Sequence, residues 1–366
     1  MPAAIRRLTA FPLLLLAAGC FSNFGPGTVP AARFDYNQRI AQSWNEQLLL
    51  NLVRLRYRDT PYFLEVGTVL AQYQIVRHAS AAASIGVGGG EGSAVGPSIG
   101  ADFAESPTIT YQPLQGEEFV RRLLEPVPGE TLMLLAGSGW SVERLLICCV
   151  NAINGIANVP SAAGPTPSVA RVDPRFRSAA RLLRRLQSSG RLQPVRGPGG
   201  QPEGRVAITP PDSTQPADTT TLDSLASLLR LDRAARELDI TVDQGVERPA
   251  ELRLRLRSLL GAMFYLSQAV DVPEGDARAG LVTTSQMPDG TAADWPALMG
   301  GIFRVRSSET RPNGAFTSVR YRGHWFYIDD ADLESKTTFG LLLNLFSLQS
   351  AQSRAAQPLL TVPAGQ

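Results

Sequence analysis

The sequence predicts an α+β fold, in which helices are combined with antiparallel strands. Three observations indicate this class. Apolar residues recur every three or four positions in some segments and every second position in others, and glycine or proline separates the segments. The 366 residues, of which 44% are hydrophobic, suffice for two domains or one elaborated domain. We place an N-terminal α+β domain at residues 34–159 and a C-terminal one at residues 221–352.

The N-terminal domain begins with a predicted amphipathic helix. Asp35, with Gln38 three positions later, fits a capping box at a helix start. One apolar stripe then follows at helical spacing: Ile40, Trp44, Leu48, Leu52 and Leu55. From residue 62 to residue 75 apolar residues alternate with polar ones, which predicts one strand, or two strands broken near Gly67.

Residues 79–111 predict a glycine-rich hairpin. Ile85 and Val87 alternate with small residues, and the alternation resumes after a run rich in glycine at residues 88–96. This pattern favours two strands of about nine residues each, joined by a flexible turn. Glycine also recurs at every fourth position, as in packed membrane helices, but Glu91 and the shortage of large apolar side chains argue against a helix.

Two more helices complete the N-terminal domain. Glu117–Leu124 is amphipathic and is followed by prolines that end it. The next predicted helix is capped by Ser138 or Ser141, runs through residues 144–153 and ends near Gly155.

Residues 160–220 are predicted to form a basic helix, opened by Pro174, and a mobile Pro/Gly-rich insert around one possible strand at residues 205–208. Positions 171–205 contain nine arginines and two acidic residues, and this is the one local excess of charge in the sequence. This helix could contact lipid headgroups, lipopolysaccharide phosphates or an acidic protein surface, and a solvated helix face is the simpler interpretation. Its candidate interaction residues are Arg175, Arg177, Arg181, Arg184 and Arg185.

The C-terminal domain starts with two predicted helices. The first covers residues 222–238, and a short strand follows at residues 240–242. The second starts near Pro249 and reaches Ala269, with leucines along one side and arginines alternating with them early in the segment.

A three-stranded meander with a helix across it is predicted next. Turn residues that tolerate positive φ separate three strands, namely residues 302–306, 316–321 and 324–328. Asp329 or Asp330 then caps a final helix at residues 331–350, and residues 353–366 form a disordered tail.

Few residues of catalytic type occur in the chain. His78 and His324 are its two histidines, and neither has metal-ligand spacing to a partner. Cys148 and Cys149 are neighbours on a predicted helix, where disulfide geometry is hard to reach, so we interpret them as buried thiols, with an intermolecular disulfide as the alternative. An acidic cluster fits complementarity to a helix dipole better than acid/base catalysis or calcium binding: Asp329, Asp330, Asp332 and Glu334. We therefore expect no enzymatic activity, no metal and no cofactor.

Residues 1–19 have the pattern of a signal peptide. Arg6 and Arg7 form a charged start, residues 8–18 form a short apolar stretch, and small residues precede Cys20. The apolar stretch is too short to span a bilayer as a permanent helix. Removal of the two arginines with the leader leaves 33 basic and 33 acidic side chains, so the net charge does not indicate a nucleic-acid partner.

The segment Leu16-Ala17-Ala18-Gly19-Cys20 resembles the lipobox of bacterial lipoproteins. One departure is that Ala17 stands where that family usually has leucine. The resemblance implies that Cys20 becomes the N-terminal residue, carries diacylglycerol on its sulfur and often carries palmitate on its amino group. Several acyl chains hold a protein stably at a membrane, whereas one chain does so only marginally.

Residue 21 is phenylalanine, whereas an aspartate there commonly retains Gram-negative lipoproteins in the inner membrane. The resemblance therefore implies an outer-membrane protein whose body lies in the periplasm. Residues 20–33 are rich in glycine and proline and would connect the lipidated cysteine to the fold.

Three segments of the body look like parts of uncharacterised proteobacterial lipoproteins: residues 34–37, 43–47 and 325–328. This likeness supplies no activity and no site residues. Together with the anchor, the sequence predicts a non-enzymatic envelope scaffold or assembly protein that meets other envelope proteins or its own copies. A ligand-binding or carrier lipoprotein is the alternative. A pore-forming assembly through residues 79–111 and a hydrolase are weaker alternatives.

Overall fold

The computed structural model of the chain describes residues 29–81, 97–114, 116–159, 162–164, 173–196, 202–209, 216–242, 248–283 and 285–351. These residues form two compact units. The hairpin unit is residues 62–114, and the main unit comprises the described residues before and after it. The main unit combines helices with a six-stranded mixed sheet and a three-stranded antiparallel sheet, which confirms the predicted α+β class.

The helices in chain order are α1 (Val29–Arg56), α2 (Glu117–Leu124), α3 (Gly129–Gly137), α4 (Val142–Cys149), α5 (Pro174–Ser188), α6 (Pro216–Leu229), α7 (Leu259–Ser267), α8 (Glu274–Arg278), α9 (Trp295–Leu298) and α10 (Leu333–Ala351). The strands are β1 (Leu64–Ala81), β2 (Pro97–Pro113), β3 (Val150–Ile153), β4 (Ile156–Ala157), β5 (Leu192–Arg196), β6 (Pro202–Ile208), β7 (Glu237–Val242), β8 (Glu251–Leu256), β9 (Arg306–Ser308), β10 (Ala315–Tyr321) and β11 (His324–Asp329).

The six-stranded sheet has the order β4-β3-β8-β7-β6-β5, and only its β7–β8 pair is parallel. Strand β3 pairs with β8, so residues assigned to separate N- and C-terminal domains share one sheet. The predicted boundaries at residues 159 and 221 are therefore wrong, because hydrogen bonds between distant parts of the chain join the two regions. Such pairing leaves no local mark in the sequence.

The predicted mobile insert also contributes to this sheet. Residues 160–220 include β5, β6 and α5, and Leu192, Val206 and Ile208 are buried. The possible strand at residues 205–208 is confirmed as part of β6, whereas β5 is missed because it is short and contains Pro194, so that local composition outweighs a weak alternation. Residues 165–172, 197–201 and 210–215 lie outside the described part of the chain.

Two predicted helices are partly strands. The helix predicted to reach residue 153 ends at Cys149, and β3 follows. The helix predicted from Pro249 to Ala269 consists of β8, a short turn and α7. In β8 three leucines are buried while Arg255 between them is exposed, which is the two-residue period of a half-buried strand. The predicted helix at residues 222–238 lies earlier, as α6, and β7 takes its last two positions.

Helices α3, α4 and α5 cover one face of the six-stranded sheet. The sequence does not predict helix α3, although Leu132, Met133 and Leu135 are buried there. Ser141 caps α4 by accepting a hydrogen bond from the N–H of Arg144, as predicted. Side chains of the three helices and the sheet line an entirely apolar cavity of about 70 Å³, so this layer is a hydrophobic core.

The C-terminal strands form a three-stranded antiparallel sheet, but the strand predicted at residues 302–306 lies instead at Arg306–Ser308, and the order is β10-β11-β9. Strand β11 is therefore central, and the order differs from that of a simple meander. Helix α10 is confirmed, and it buries Phe339, whose ring meets Phe316 edge-on with centroids 6.0 Å apart. Its cap is Asp332, not Asp329 or Asp330, because Asp332 accepts the hydrogen bond from the N–H of Ser335 at 3.0 Å.

Helix α1 starts at Val29, before the predicted cap at Asp35, and therefore overlaps the predicted tether at residues 20–33. Its C-terminal half is buried through Leu48, Leu49, Leu52, Val53 and Leu55. Trp44 contacts Phe346 of α10 edge-on, with ring centroids 5.8 Å apart.

The hairpin unit is a two-stranded antiparallel sheet, in which Leu64 pairs with Pro113 and Ala81 with Pro97. Its strands have 18 and 17 residues, about twice the predicted length, and the first strand is the segment 64–81. The register shifts between Val66 and Thr68, at the glycine where a break was considered. The predicted strand around residues 85–87 and the glycine-rich turn lie outside the described residues.

Candidate functional site

The predicted lipidation site, Cys20, lies outside the described residues. The signal peptide, the start of the tether and the tail at residues 353–366 also lie outside them. Within the described part of the chain, no helix is both long enough and apolar enough to cross a membrane. Lipidation therefore stays a prediction from the sequence.

The candidate interaction arginines of α5 lie beside a buried apolar face, and Asp173 caps the helix. Four of the five have partners within the chain: Arg175 pairs with Asp173 at 2.6 Å, Arg177 donates to the carbonyl of Ala297 at 3.1 Å, Arg181 lies 3.8 Å from Glu143, and Arg184 donates to Gln187 at 2.8 Å. Arg185 is exposed. Arg177 and Arg181 thus connect α5 to other elements, whereas the contacts of Arg175 and Arg184 lie within the helix and its cap.

An open cleft of about 450 Å³ lies in the main unit, at the C-terminal end of α7. We call it the α7 cleft. The end of α1, the segment after α7, helix α8 and the start of α9 form its walls. Its polar lining residues are Arg56, Gln268, Asp271, Asp294, Trp295 and Arg304. Valines, alanines and a proline supply the rest of the lining.

Helix α1 is fixed to one wall of the cleft. The hydroxyl of Tyr57 donates to Asp276 at 2.5 Å, and Nη1 of Arg56 donates to the carbonyl of Thr283 at 2.9 Å. Burial and the hydrogen bond to Asp276 raise the pKa of Tyr57, so its hydroxyl stays protonated and remains a donor. Burial lowers the pKa of Arg56, because its guanidinium is partly removed from water.

The opposite wall is fixed by an ion pair, a helix cap and a ring contact. Arg304 and Asp271 pair at 3.0 Å. Asp294 caps α9 by accepting a backbone N–H at 3.2 Å. The indole of Trp295 meets the Tyr265 ring edge-on, with centroids 6.3 Å apart. These contacts hold the cleft open without filling it.

Three polar atoms of the cleft residues have no hydrogen-bond partner within the described part of the chain: Arg56 Nε, Gln268 Oε1 and Trp295 Nε1. Gln268 is 5% exposed and Trp295 is 3% exposed. A buried donor or acceptor without a partner costs roughly 1–3 kcal/mol, so such groups usually meet water or a ligand. No local pattern in the sequence marks these three residues, because they come from three separate segments.

The polar groups that line the α7 cleft are charged, amide or indole groups. Among the described residues that line it there is no histidine, cysteine, serine or tyrosine. Two arginines and two aspartates balance in formal charge. A nucleophile with an adjacent base, which acyl transfer requires, is thus absent from this lining.

The residues considered for chemistry in the sequence lie elsewhere. Residues of the acidic cluster contact cations or a helix N-terminus: Asp329 lies 3.8 Å from Arg306, Asp330 2.6 Å from Lys336, Glu334 pairs with Arg144, and Asp332 caps α10. In the described part of the chain, no group of three or more His, Cys, Asp or Glu could hold a metal ion. His324 pairs with Tyr321 at the β10–β11 turn, and His78 lies opposite Gly100 in the hairpin unit.

A hydrogen-bond network surrounds the buried Arg257. It lies next to Tyr265, whose ring contacts Trp295 of the cleft. Arg257 is 1% exposed and stacks on the Tyr265 ring at 3.8 Å. Its guanidinium donates to four oxygens at 2.5–3.0 Å: Asn151 Oδ1 and the carbonyls of Ile147, Cys148 and Asn158. Two of these carbonyls end α4, where the helix dipole favours a cation. Nothing in the sequence distinguishes Arg257 from Arg253 and Arg255.

Cys148 and Cys149 are free and buried, as predicted. A hydrogen bond with Cys148 and burial raise the pKa of the Cys149 thiol, so this thiol stays protonated. The pair is therefore part of the core.

No protein-family model matches the chain, and no curated protein or solved structure matches it. The lipoprotein interpretation accordingly depends on the leader and segments quoted above.

Proposed function

We propose that this chain is a lipid-anchored outer-membrane lipoprotein with a non-enzymatic assembly role, and that its copies associate through the hairpin unit. The observation that supports this is the hairpin itself. It is a compact unit of its own that consists of two strands of 18 and 17 residues. A strand of that length extends over about 60 Å.

A two-stranded ribbon has two outer edges with rows of backbone N–H and C=O groups. Within the described residues no third strand pairs with β1 or β2. An isolated hairpin is at best marginally stable in water, and exposed strand edges are templates for pairing with another chain. Edge-to-edge pairing between copies would satisfy these groups and stabilise both hairpins.

The sequence of β1 offers little protection against such pairing. Natural edge strands are commonly protected by charges and prolines. The 18 residues of β1 include no proline, and their charged residues are Glu65 and Arg77. In contrast, β2 contains Pro107 and the acidic residues Asp102 and Glu105. Strand β1 is therefore the better candidate for the edge that pairs.

A lipid on Cys20 would favour association further. Anchoring confines all copies to one surface, which raises their effective concentration in the same way that a tether does. The two parts of the proposal thus support each other, but each has its own experiment.

The assembly role is tested by light scattering of the mature lipoprotein in mild detergent. The N–H of Leu114 donates to the carbonyl of Phe63 at 2.9 Å, so the ends of the hairpin are adjacent and a short Gly/Ser turn can replace residues 64–113. We expect a defined oligomer for the full chain and a monomer for the deletion variant. A full chain that is monomeric, or an oligomer that survives the deletion, contradicts the proposal. An unchanged melting temperature of the main unit serves as the folding control.

The anchor is tested by intact mass and membrane fractionation of the chain expressed with its own leader. We expect a mature N-terminus at Cys20, a mass increased by diacylglycerol and an acyl chain, and recovery with the outer membrane. Cys20→Ala should lack the added mass and leave that fraction. An unmodified mature chain would refute lipidation, whatever its oligomeric state.

A further inference from the structure

We propose that the hairpins of two copies of the chain pack face to face, with a two-fold axis at the register pair Ile75–Phe103. This inference rests on the proposed association through the hairpin unit and names a second surface for it, besides the strand edges. It follows from which residues the register of β1 and β2 places on the same face. Residues directly opposite each other, and residues two positions apart on one strand, share a face of a sheet.

The two faces of the hairpin differ in composition. From Thr68 to Ala81 the register runs without a shift, so the residues of each face follow from it. One face, which we call the apolar face, includes the register pairs Val69–Ile109, Ile75–Phe103 and Ala79–Ile99. The other face, which we call the polar face, includes the pairs Thr68–Thr110, Gln72–Ser106 and Ser80–Ser98. The hairpin is therefore an amphipathic ribbon.

An apolar sheet face is stable in water when a second layer covers it. Within its described residues, the hairpin unit consists of β1 and β2 and supplies no such layer itself. The same face of a second copy is a layer of matching length and composition. Two sheets that pack face to face lie about 10 Å apart, with their side chains interdigitated.

Two charged residues on the apolar face favour a second copy over lipid. Glu105 lies opposite Tyr73, four positions before Arg77, which is about 13 Å along the strand. Residues that interact within a two-stranded sheet are directly opposite or diagonal neighbours, and these two are farther apart than that. Against lipid, a charge on an apolar face is strongly destabilising.

A two-fold axis brings the opposite charges to the same level. The pair Ile75–Phe103 is midway between the levels of Arg77 and Glu105. An axis through this pair, perpendicular to the strands and in the plane between the two ribbons, reverses the strand direction. Arg77 of each copy then lies at the level of the partner's Glu105. The contact occurs twice, as in every isologous interface, and it pairs both charges that the apolar face carries.

The test is light scattering of the mature lipoprotein in mild detergent, with Arg77→Glu or Glu105→Arg. Each substitution places like charges at the same level, so we expect each chain alone to associate about tenfold more weakly than the parent. An equimolar mixture of the two chains should associate as the parent does, because each copy supplies the sign that the other lacks. An ion pair within one hairpin gives no such recovery, and recovery also shows that both chains are folded.

Asp102→Arg is the matched control. It makes the same change of charge as Glu105→Arg, but Asp102 pairs with Val76 on the polar face. We expect this chain to associate as the parent does. Mixed with the Arg77→Glu chain, it should give weaker association than the Glu105→Arg chain gives.

The proposal is overturned if the Arg77→Glu and Glu105→Arg chains associate as the parent does, or if their mixture associates no more strongly than either alone. An oligomer that these substitutions leave intact, but that deletion of residues 64–113 abolishes, overturns the face-to-face packing and retains association through the edges. A monomeric parent chain overturns both. Binding of the Cys20→Ala chain to phosphatidylethanolamine vesicles, with unchanged association of the charge variants, assigns the apolar face to lipid and overturns the proposal.

Discussion

The main unit and the hairpin unit are stabilised in different ways. In the main unit, helices cover a six-stranded sheet whose residues come from positions 150 to 256, and buried side chains fill the space between them. The hairpin unit is one pair of long strands held by local antiparallel hydrogen bonds. The first therefore depends on its own core. The second has a repetitive ladder and depends, in our proposal, on other copies of the chain.

The contrast has a physical basis in edges and in burial. A sheet covered by helices loses apolar surface to the interior, and this is the dominant favourable contribution to folding. A two-stranded ribbon leaves both outer edges available. The predictions below use the free energy of unfolding of the main unit as their common measure, and they run from the largest expected change to the smallest.

Substitution of Arg257 should have the largest effect. Arg257→Met keeps much of the volume but removes the guanidinium that donates to the carbonyls of Cys148 and Asn158, whereas the carbonyl of Ile147 keeps a hydrogen bond from Asn158 Nδ2 at 2.9 Å. We expect the free energy of unfolding to fall by about 3 kcal/mol or more, since each buried polar group left unpaired costs roughly 1–3 kcal/mol. Urea denaturation followed by circular dichroism measures this.

Arg255→Met is the matched control, because Arg255 lies on the same strand and is exposed. Its effect should stay within about 0.5 kcal/mol. Equal destabilisation by both substitutions would mean that the Arg257 network contributes no more than an ordinary surface arginine.

Loss of the connection between α4 and α10 should have a smaller effect. Arg144 is 8% exposed and donates to the carboxylate and the carbonyl of Glu334, with the carbonyl at 2.8 Å. Glu334→Gln removes the negative charge but keeps the backbone acceptor. We expect destabilisation of about 1 kcal/mol, the upper end for partly exposed ion pairs. A loss that grows in high salt instead of shrinking would contradict the electrostatic origin.

How much of this could be predicted from the sequence depends on how local the signal is. Helix α10 and β10–β11 were predicted almost to the residue, because their periodicity and turn residues lie within one continuous stretch. Strand β8 was taken for a helix, although Leu252, Leu254 and Leu256 alternate with arginines, since the leucines of α7 follow immediately. The single sheet and the α7 cleft could not be predicted, because they join segments far apart in the chain.

A pH-dependent contribution smaller still is expected from Asp59. A hydrogen bond from Tyr321 holds the pKa of Asp59 below its usual range, and Arg322 adds to this at 3.1 Å. Because the pKa is lower in the folded state, this contribution is present above about pH 4 and is lost as the pH falls through the folded-state value. Asp59→Asn should therefore destabilise the main unit at neutral pH by a few tenths of a kcal/mol, about the size for exposed pairs.

Urea titrations at neutral pH and near pH 2 separate this effect from a general loss of packing. The difference in stability between the parent and the Asp59→Asn chain should shrink as the pH falls toward 2, because protonation of the parent's carboxylate removes the charge that Tyr321 and Arg322 favour. A difference that persists in acid would show that the substitution acts through packing.

A break in the hairpin should have the smallest effect on the main unit. Leu70 lies within β1 and pairs with Thr108, and proline there removes a backbone N–H and fixes φ away from the strand value. If the N–H of Leu70 bonds to β2, the ladder is interrupted; if it points outward, a donor for a neighbouring copy is lost. In both cases Leu70→Pro should reduce the oligomer in detergent and leave the free energy of unfolding of the main unit unchanged.

Leu254→Pro, the same substitution in the buried strand β8, should instead unfold the main unit. If Leu70→Pro also destabilised the main unit, the stability of the two units would be coupled, and association through the hairpin would no longer be separable from folding.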